Sequence, residues 1–251
     1  MSYNIAVAGK GGSGKTSVAS LVIRYLMKNG SVPILAVDAD PNTNLGESLG
    51  LSVNQTVSSI IASFNEEKIN IPPGMTKEAY LEYKLNSILV ESKGLDLLSM
   101  GWGEGPDCYC YPNLILRKFI DTLGGNYAYI VMDNEAGMEH LSRRTTQNVD
   151  ELLLISNHSV KGVRTVARIR ELVSELKLVV KRQWVLINFA PAKLDPMVTD
   201  ELARLGIDRV TTIPLDNEVY EYDLKLKPLL DLPDASKAVV AVSDLMAKLL
   251  K

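Results

Sequence analysis

The sequence predicts an α/β fold, a mainly parallel β-sheet covered by helices on both faces, and three observations carry that prediction. Short apolar runs recur along the chain, stretches of helical period separate them, and a glycine-rich turn joins the first run directly to the first helical stretch. Alternation of this kind implies right-handed βαβ crossovers, with functional groups on the loops at the carboxyl ends of the strands.

The runs that read as buried strands are Ile5 to Ala8, Pro33 to Val37, Leu95 to Ser99, Tyr129 to Met132, Leu152 to Ile155, Trp184 to Ile187 and Val210 to Ile213. With 251 residues, 46% of them hydrophobic and 23% charged, the chain can bury a sizeable core, and residues 1–251 read as a single domain. Residues 52 to 94 read as an irregular insertion on the sheet, with Pro72-Pro73-Gly74 between two candidate helices. The last stretch, Ala235 to Lys251, places Val239, Val242, Leu245, Met246, Leu249 and Leu250 along one helical face, which reads as a final helix packed on the sheet rather than a membrane-seeking one. A formal charge of -3 supplies no general attraction for nucleic acid or anionic lipid, so neither is an expected partner. The start lacks the pattern of a signal peptide and no apolar run reaches the ~20 residues a bilayer requires, so the expected location is cytoplasmic.

The turn after the first strand, Gly9-Lys10-Gly11-Gly12-Ser13-Gly14-Lys15-Thr16, fits G-x-x-x-x-G-K-[ST] and runs through Ser17 into a helix ending near Lys28. Glycines there let backbone N–H groups turn inward around phosphate oxygens, and the helix N-terminus adds its positive dipole. Lys15 is expected on the β and γ phosphates of ATP, or the β phosphate of ADP, and the Thr16 hydroxyl on Mg2+. Lys10 lies too early in the turn to duplicate Lys15 on the same nucleotide. The K-G-G-x-G-K-T arrangement resembles the deviant Walker A motif of the MinD, ParA and nitrogenase-iron-protein class of P-loop NTPases. In that class the early lysine reaches across a dimer interface to the partner's ATP, so the resemblance implies a nucleotide-dependent homodimer.

Further residues match that class. Asp38-Ala39-Asp40-Pro41-Asn42 looks like its switch I, which implies that Asp40 positions the attacking water and Asp38 lies near the magnesium shell; an Asp-rich turn also caps helices. The fourth strand delivers Asp133 as a Walker B carboxylate, and Asp133-Asn134-Glu135-Ala136-Gly137 resembles switch II, with Gly137 free to swing a backbone N–H towards the γ-phosphate. Asn188 matches the adenine-reading position and Pro214 belongs to a second base-contacting loop, although an asparagine at a strand end also forms turns.

The two cysteines, Cys108 and Cys110, sit in Asp107-Cys108-Tyr109-Cys110-Tyr111-Pro112 before a helix expected to start at Asn113. In extended backbone, positions i and i+2 project to one side about 6.6 Å apart, close enough for both sulfurs to reach one ion. Four thiolates close a tetrahedral site, and a symmetric dimer supplies all four. Buried thiols, a strained disulfide and a redox pair are the competing readings. At this point the chain resembles the CooC-type accessory ATPases of carbon monoxide dehydrogenase and the similar AcsF-type proteins of acetyl-CoA synthase, through A-V-A-G-K-G-G-S-G-K-T, A-V-D-A-D-P, C-Y-C and V-M-D-N-E-A-G-M-E-H-L. The resemblance implies an ATPase that binds Ni2+, or Zn2+ in its place, through Cys108 and Cys110 at a dimer interface and supports nickel insertion into one of those client enzymes. Ser13 stands where the phosphate loop commonly has valine, and residues 52 to 94 match no feature that can be assigned, which leaves the client open. His140 reads as a surface or helix-start residue, and His158 carries no expected role.

Two other classes compete. An iron–sulfur electron-transfer ATPase of the nitrogenase-iron-protein kind would place a cluster cysteine close to switch II, and Asn134 to Gly137 contains none. A positioning ATPase of the MinD or ParA type would act on membrane or DNA, against which the acidic balance counts.

Overall fold

The computed structural model describes residues 2–67, 71–101, 118–120, 122–134 and 148–251, leaving aside the side chains of residues 65–67. Cys108, Cys110, Gly137, His140 and the start of the helix expected at Asn113 lie outside the described residues.

All seven apolar runs are strands. Together with one short edge strand they form an eight-stranded sheet built from β1 (Tyr3–Gly9), β2 (Ile34–Ala39), β3 (Val90–Ser92), β4 (Leu95–Ser99), β5 (Tyr129–Asn134), β6 (Asn148–Asn157), β7 (Val179–Ala190) and β8 (Val210–Pro214). Their order is β3-β4-β2-β5-β1-β6-β7-β8, and every pairing is parallel except β3 with β4. The helices are α1 (Lys15–Lys28), α2 (Asn44–Leu49), α3 (Val57–Glu67), α4 (Lys77–Ser87), α5 (Val160–Glu175), α6 (Pro196–Arg204), α7 (Asn217–Leu224) and α8 (Lys237–Leu249). Residues 52–94 thus carry α3, α4 and β3, with the Thr76 hydroxyl capping α4 by accepting from Ala79 N.

Strand periodicity divides the core. Ile5 and Val7 of β1 face α1, α2 and α8, whereas Ala6 and Ala8 face α3 to α6. The same alternation in β2 sends Ile34 and Ala36 one way and Leu35 and Val37 the other. Each such leucine or isoleucine taken fully out of water contributes about 1.5–3 kcal/mol. Ala238, Val239, Val242, Leu245, Met246 and Leu249 of α8 are all buried in the first of these layers.

At the amino ends of the strands a polar network ties β1, β6, β7 and α8 together. The Glu151 carboxylate, fully buried, accepts from Tyr3 Oη at 2.6 Å, from Arg182 Nε at 2.6 Å and from Trp184 Nε1 at 3.0 Å. Arg182 Nη2 also donates to Leu249 O at 2.6 Å, which fastens the end of α8, and Arg209 lies 5.7 Å from the centre of the Trp184 ring.

Candidate functional site

The strand order puts the site's parts side by side. β1 leads into the phosphate loop; its neighbour β5 carries Asp133; and β2 pairs with β5 in the register Asp38 to Asp133. Three segments distant in sequence therefore end at one point on the carboxyl edge of the sheet, where parallel sheets bind ligands.

The loop's glycines meet specific demands. Gly14 has φ 84° and a Cβ there would collide with Asn188 Nδ2, while Gly9 packs so closely on β6 that a Cβ would strike Ile155 O. Ser13 Oγ donates to Lys10 O at 2.7 Å and Ser13 N to the same oxygen at 3.2 Å, closing the turn. Lys15 is buried and its charge lies near Asp133, whereas Lys10 is exposed.

Beneath the loop, Thr16 Oγ1 donates to Asp133 Oδ2 at 2.6 Å. The other oxygen, Asp133 Oδ1, is buried and has no hydrogen-bond partner among the described residues. Asp38, wholly buried, accepts from Leu45 N at 2.9 Å and Asp40 N at 3.2 Å. Burial, followed by the charge of Asp133, pushes the Asp38 carboxyl up to about 7. Burial likewise raises Asp133 to about 6, opposed by the Thr16 hydroxyl and the Lys15 charge. Two desolvated carboxylates and a hydroxyl, one oxygen of the set unsatisfied, are a hard-oxygen donor set that fits Mg2+. Asp40 is half-buried; its Oδ1 accepts from Asn42 N and Asn42 Nδ2, both at 2.9 Å, so this carboxylate also organises the turn into α2.

Asn188 is buried with both amide atoms engaged. Nδ2 donates to Ser13 O at 2.9 Å and Oδ1 accepts from Phe189 N at 2.9 Å. In this structure the side chain therefore braces the phosphate loop, a contact spanning 175 residues of sequence. Asn188, Ser17 and Pro214 nevertheless line one cavity of about 180 Å3, beside Val18, Leu215 and Tyr220. Phe189, which carried no expectation, lines it too. His158 Nε2 accepts from Asp195 N at 2.9 Å, at the start of α6.

Among known proteins, the family model described as the CobQ/CobB/MinD/ParA nucleotide binding domain matches residues 5–229. An uncharacterised ATP-binding protein of Methanocaldococcus jannaschii is 43% identical over 248 residues, covering 98% of both chains. The carbon monoxide dehydrogenase accessory protein CooC of Rhodospirillum rubrum is 28% identical over 183 residues, covering 68% of this chain and 69% of its own. Of solved structures, a ParA family ATPase from Chlorobium tepidum superposes with a TM-score of 0.74 at 19% identity, covering 98% of both chains. MinD of Pyrococcus horikoshii, solved with Mg-ADP, gives 0.72 at 19% identity over 100% of this chain and 97% of its own; at such identities the likeness is one of fold. The match over residues 5–229, lying on the phosphate loop, Asp38, Asp133 and Asn188 as the fold assembles them, makes this chain a member of the CobQ/CobB/MinD/ParA nucleotide-binding family.

Proposed function

We propose that this chain is an ATP-hydrolysing nickel metallochaperone that cycles through a dimer and supports nickel insertion into a carbon monoxide dehydrogenase or acetyl-CoA synthase. The observation that carries the nucleotide half is the Thr16–Asp133–Asp38 constellation under the phosphate loop, with its unsatisfied carboxylate oxygen. The metal half is supported by the Cys108-Tyr109-Cys110 sequence and by the partial similarity to CooC.

The residues divide the work. Backbone N–H groups of residues 11–16 and the Lys15 ammonium hold the phosphates and take up charge as the γ-phosphoryl group departs. Thr16, with Asp133 and Asp38 behind it, would hold Mg2+, which would supply charge neutralisation for the phosphates. Asp40 orients the attacking water through the carboxylate oxygen that Asn42 leaves free, and exposed Lys10 reaches the nucleotide of a second subunit. Hydrolysis removes the contacts that hold the segments after Asp38 and Asp133, and the Cys108 and Cys110 pairs of the two subunits change their hold on Ni2+, the cargo, or on Zn2+ in its place. Gly137 supplies a backbone N–H to that switch, and Asn188 and Pro214 border the base.

The test is size-exclusion chromatography with light scattering on metal-free protein, with and without one nickel per two chains, beside a Cys108→Ser/Cys110→Ser variant. The proposal expects a nickel-driven dimer that the variant cannot form. Identical behaviour of wild type and variant, with no nickel retained, would refute the metal half. A brown protein with visible absorption would point instead to an iron–sulfur cluster, and co-sedimentation with DNA or lipid to a positioning ATPase.

A further inference from the structure

We infer that Phe189 is the platform on which the nucleotide base stacks, beside the amide of Asn188. The inference rests on the reading of the phosphate loop as a nucleotide site.

Phe189 occupies an unusual place. β7 pairs regularly with β8 up to Ile187, then shifts register before Ala190, and within that bulge Phe189 adopts φ 55°. A left-handed backbone is rare for a bulky residue other than glycine, and such outliers gather at ligand sites. Here the conformation is held from both sides: Phe189 N donates to Asn188 Oδ1, and Leu215 N bonds Ala190 O immediately after the bulge. Its effect is to carry the ring out of the strand and against the phosphate loop. A Cβ built on Gly14 would lie 3.2 Å from Phe189 Cζ, so the ring tip touches the loop. Yet the residue is 43% exposed, which an aromatic placed only to fill a core would not be. It lines the 180 Å3 cavity with Ser17, Val18, Pro214, Leu215 and Tyr220, at the start of the helix that follows the phosphates. The cavity adjoins the phosphate loop, within reach of the base of a nucleotide whose phosphates the loop holds.

The polar partners explain the division of roles. Asn188 spends its Oδ1 and one N–H on Phe189 N and Ser13 O, so it positions both the loop and the ring. Asp216, also lining the cavity, accepts from Glu218 N, Ser236 Oγ and Ala238 N, and is occupied in joining α7 to α8. What the cavity presents to a base is mainly apolar surface and one exposed aromatic face, the composition that favours stacking.

Isothermal titration of wild type, Phe189→Ala and Phe189→Trp with magnesium ATP and, separately, with magnesium tripolyphosphate tests this. Tripolyphosphate carries the phosphates without a base. The expected result is a loss of roughly ten-fold in ATP affinity for Phe189→Ala, near-normal ATP affinity for Phe189→Trp, and equal tripolyphosphate affinity in all three. Unchanged ATP affinity in Phe189→Ala, or an equal loss of tripolyphosphate affinity, would overturn the inference, the second because the ring would then only shape the loop. Wild type that binds neither ligand would overturn the nucleotide site itself.

Discussion

The two ends of the sheet treat buried carboxylates in opposite ways. At the amino ends Glu151 has its carboxylate bonded to a guanidinium, a phenol and an indole, and the neighbouring Asp150 accepts from Asn4 N at 2.7 Å and pairs with Lys181 at 2.6 Å. At the carboxyl ends Asp38 and Asp133 face each other across β2 and β5, with Asp133 Oδ1 unpartnered among the described residues. A buried charge with partners holds a fold together, whereas one without them costs stability until something arrives to pair it. The first pattern fastens β1, β6, β7 and α8; the second belongs to a site.

The contrast predicts opposite signs for two substitutions. Glu151→Ala leaves Arg182, Trp184 and Tyr3 without their common acceptor, and urea unfolding should show a loss of about 3 kcal/mol. Asp133→Asn keeps an acceptor for Thr16 and removes a charge whose burial outweighs what Thr16 and Lys15 offset, so unfolding of the nucleotide-free protein at pH 8 should show a gain of about 1–2 kcal/mol. A destabilised Asp133→Asn would erase the distinction between the two ends.

The pH profile sharpens it. Because Asp38 and Asp133 are raised to about 7 and about 6 from an ordinary 3.8, the folded chain holds protons that the unfolded chain has already released. Their contribution is therefore fully present below pH 4 and is lost as pH rises through 6 and 7, so the nucleotide-free protein should lose stability between about pH 4 and 7. Asp133→Asn should flatten that slope. The smallest effect is expected away from both regions. Asp234, 74% exposed, pairs with Arg24 at 2.6 Å, but Arg24 also donates to Leu230 O and Leu232 O, so Asp234→Ala should leave the unfolding midpoint almost unmoved in the same denaturation experiment.

What the sequence disclosed follows from which interactions are local. Seven strands were legible because each is an apolar run, whereas β3, the three residues Val90, Glu91 and Ser92, exists only by pairing antiparallel with β4. The phosphate loop was legible because its geometry is written in closely spaced glycines, at 9, 11, 12 and 14. That Asp38 and Asp133 lie in register was not, since it depends on β5 inserting between β1 and β2. Nor was the bracing of Ser13 by Asn188, which joins two segments 175 residues apart in sequence. Phe189 was invisible for a different reason: nothing in an apolar side chain at the end of an apolar strand announces a left-handed backbone.

The measurement that bears most directly on this account is magnesium-dependent ATP hydrolysis by wild type and Asp133→Asn, run beside their thermal unfolding. The account predicts wild-type turnover that stops in EDTA and falls about 100-fold in the variant while the variant melts at the same temperature or higher. Turnover in Asp133→Asn equal to wild type, or wild-type hydrolysis indifferent to EDTA, would contradict it.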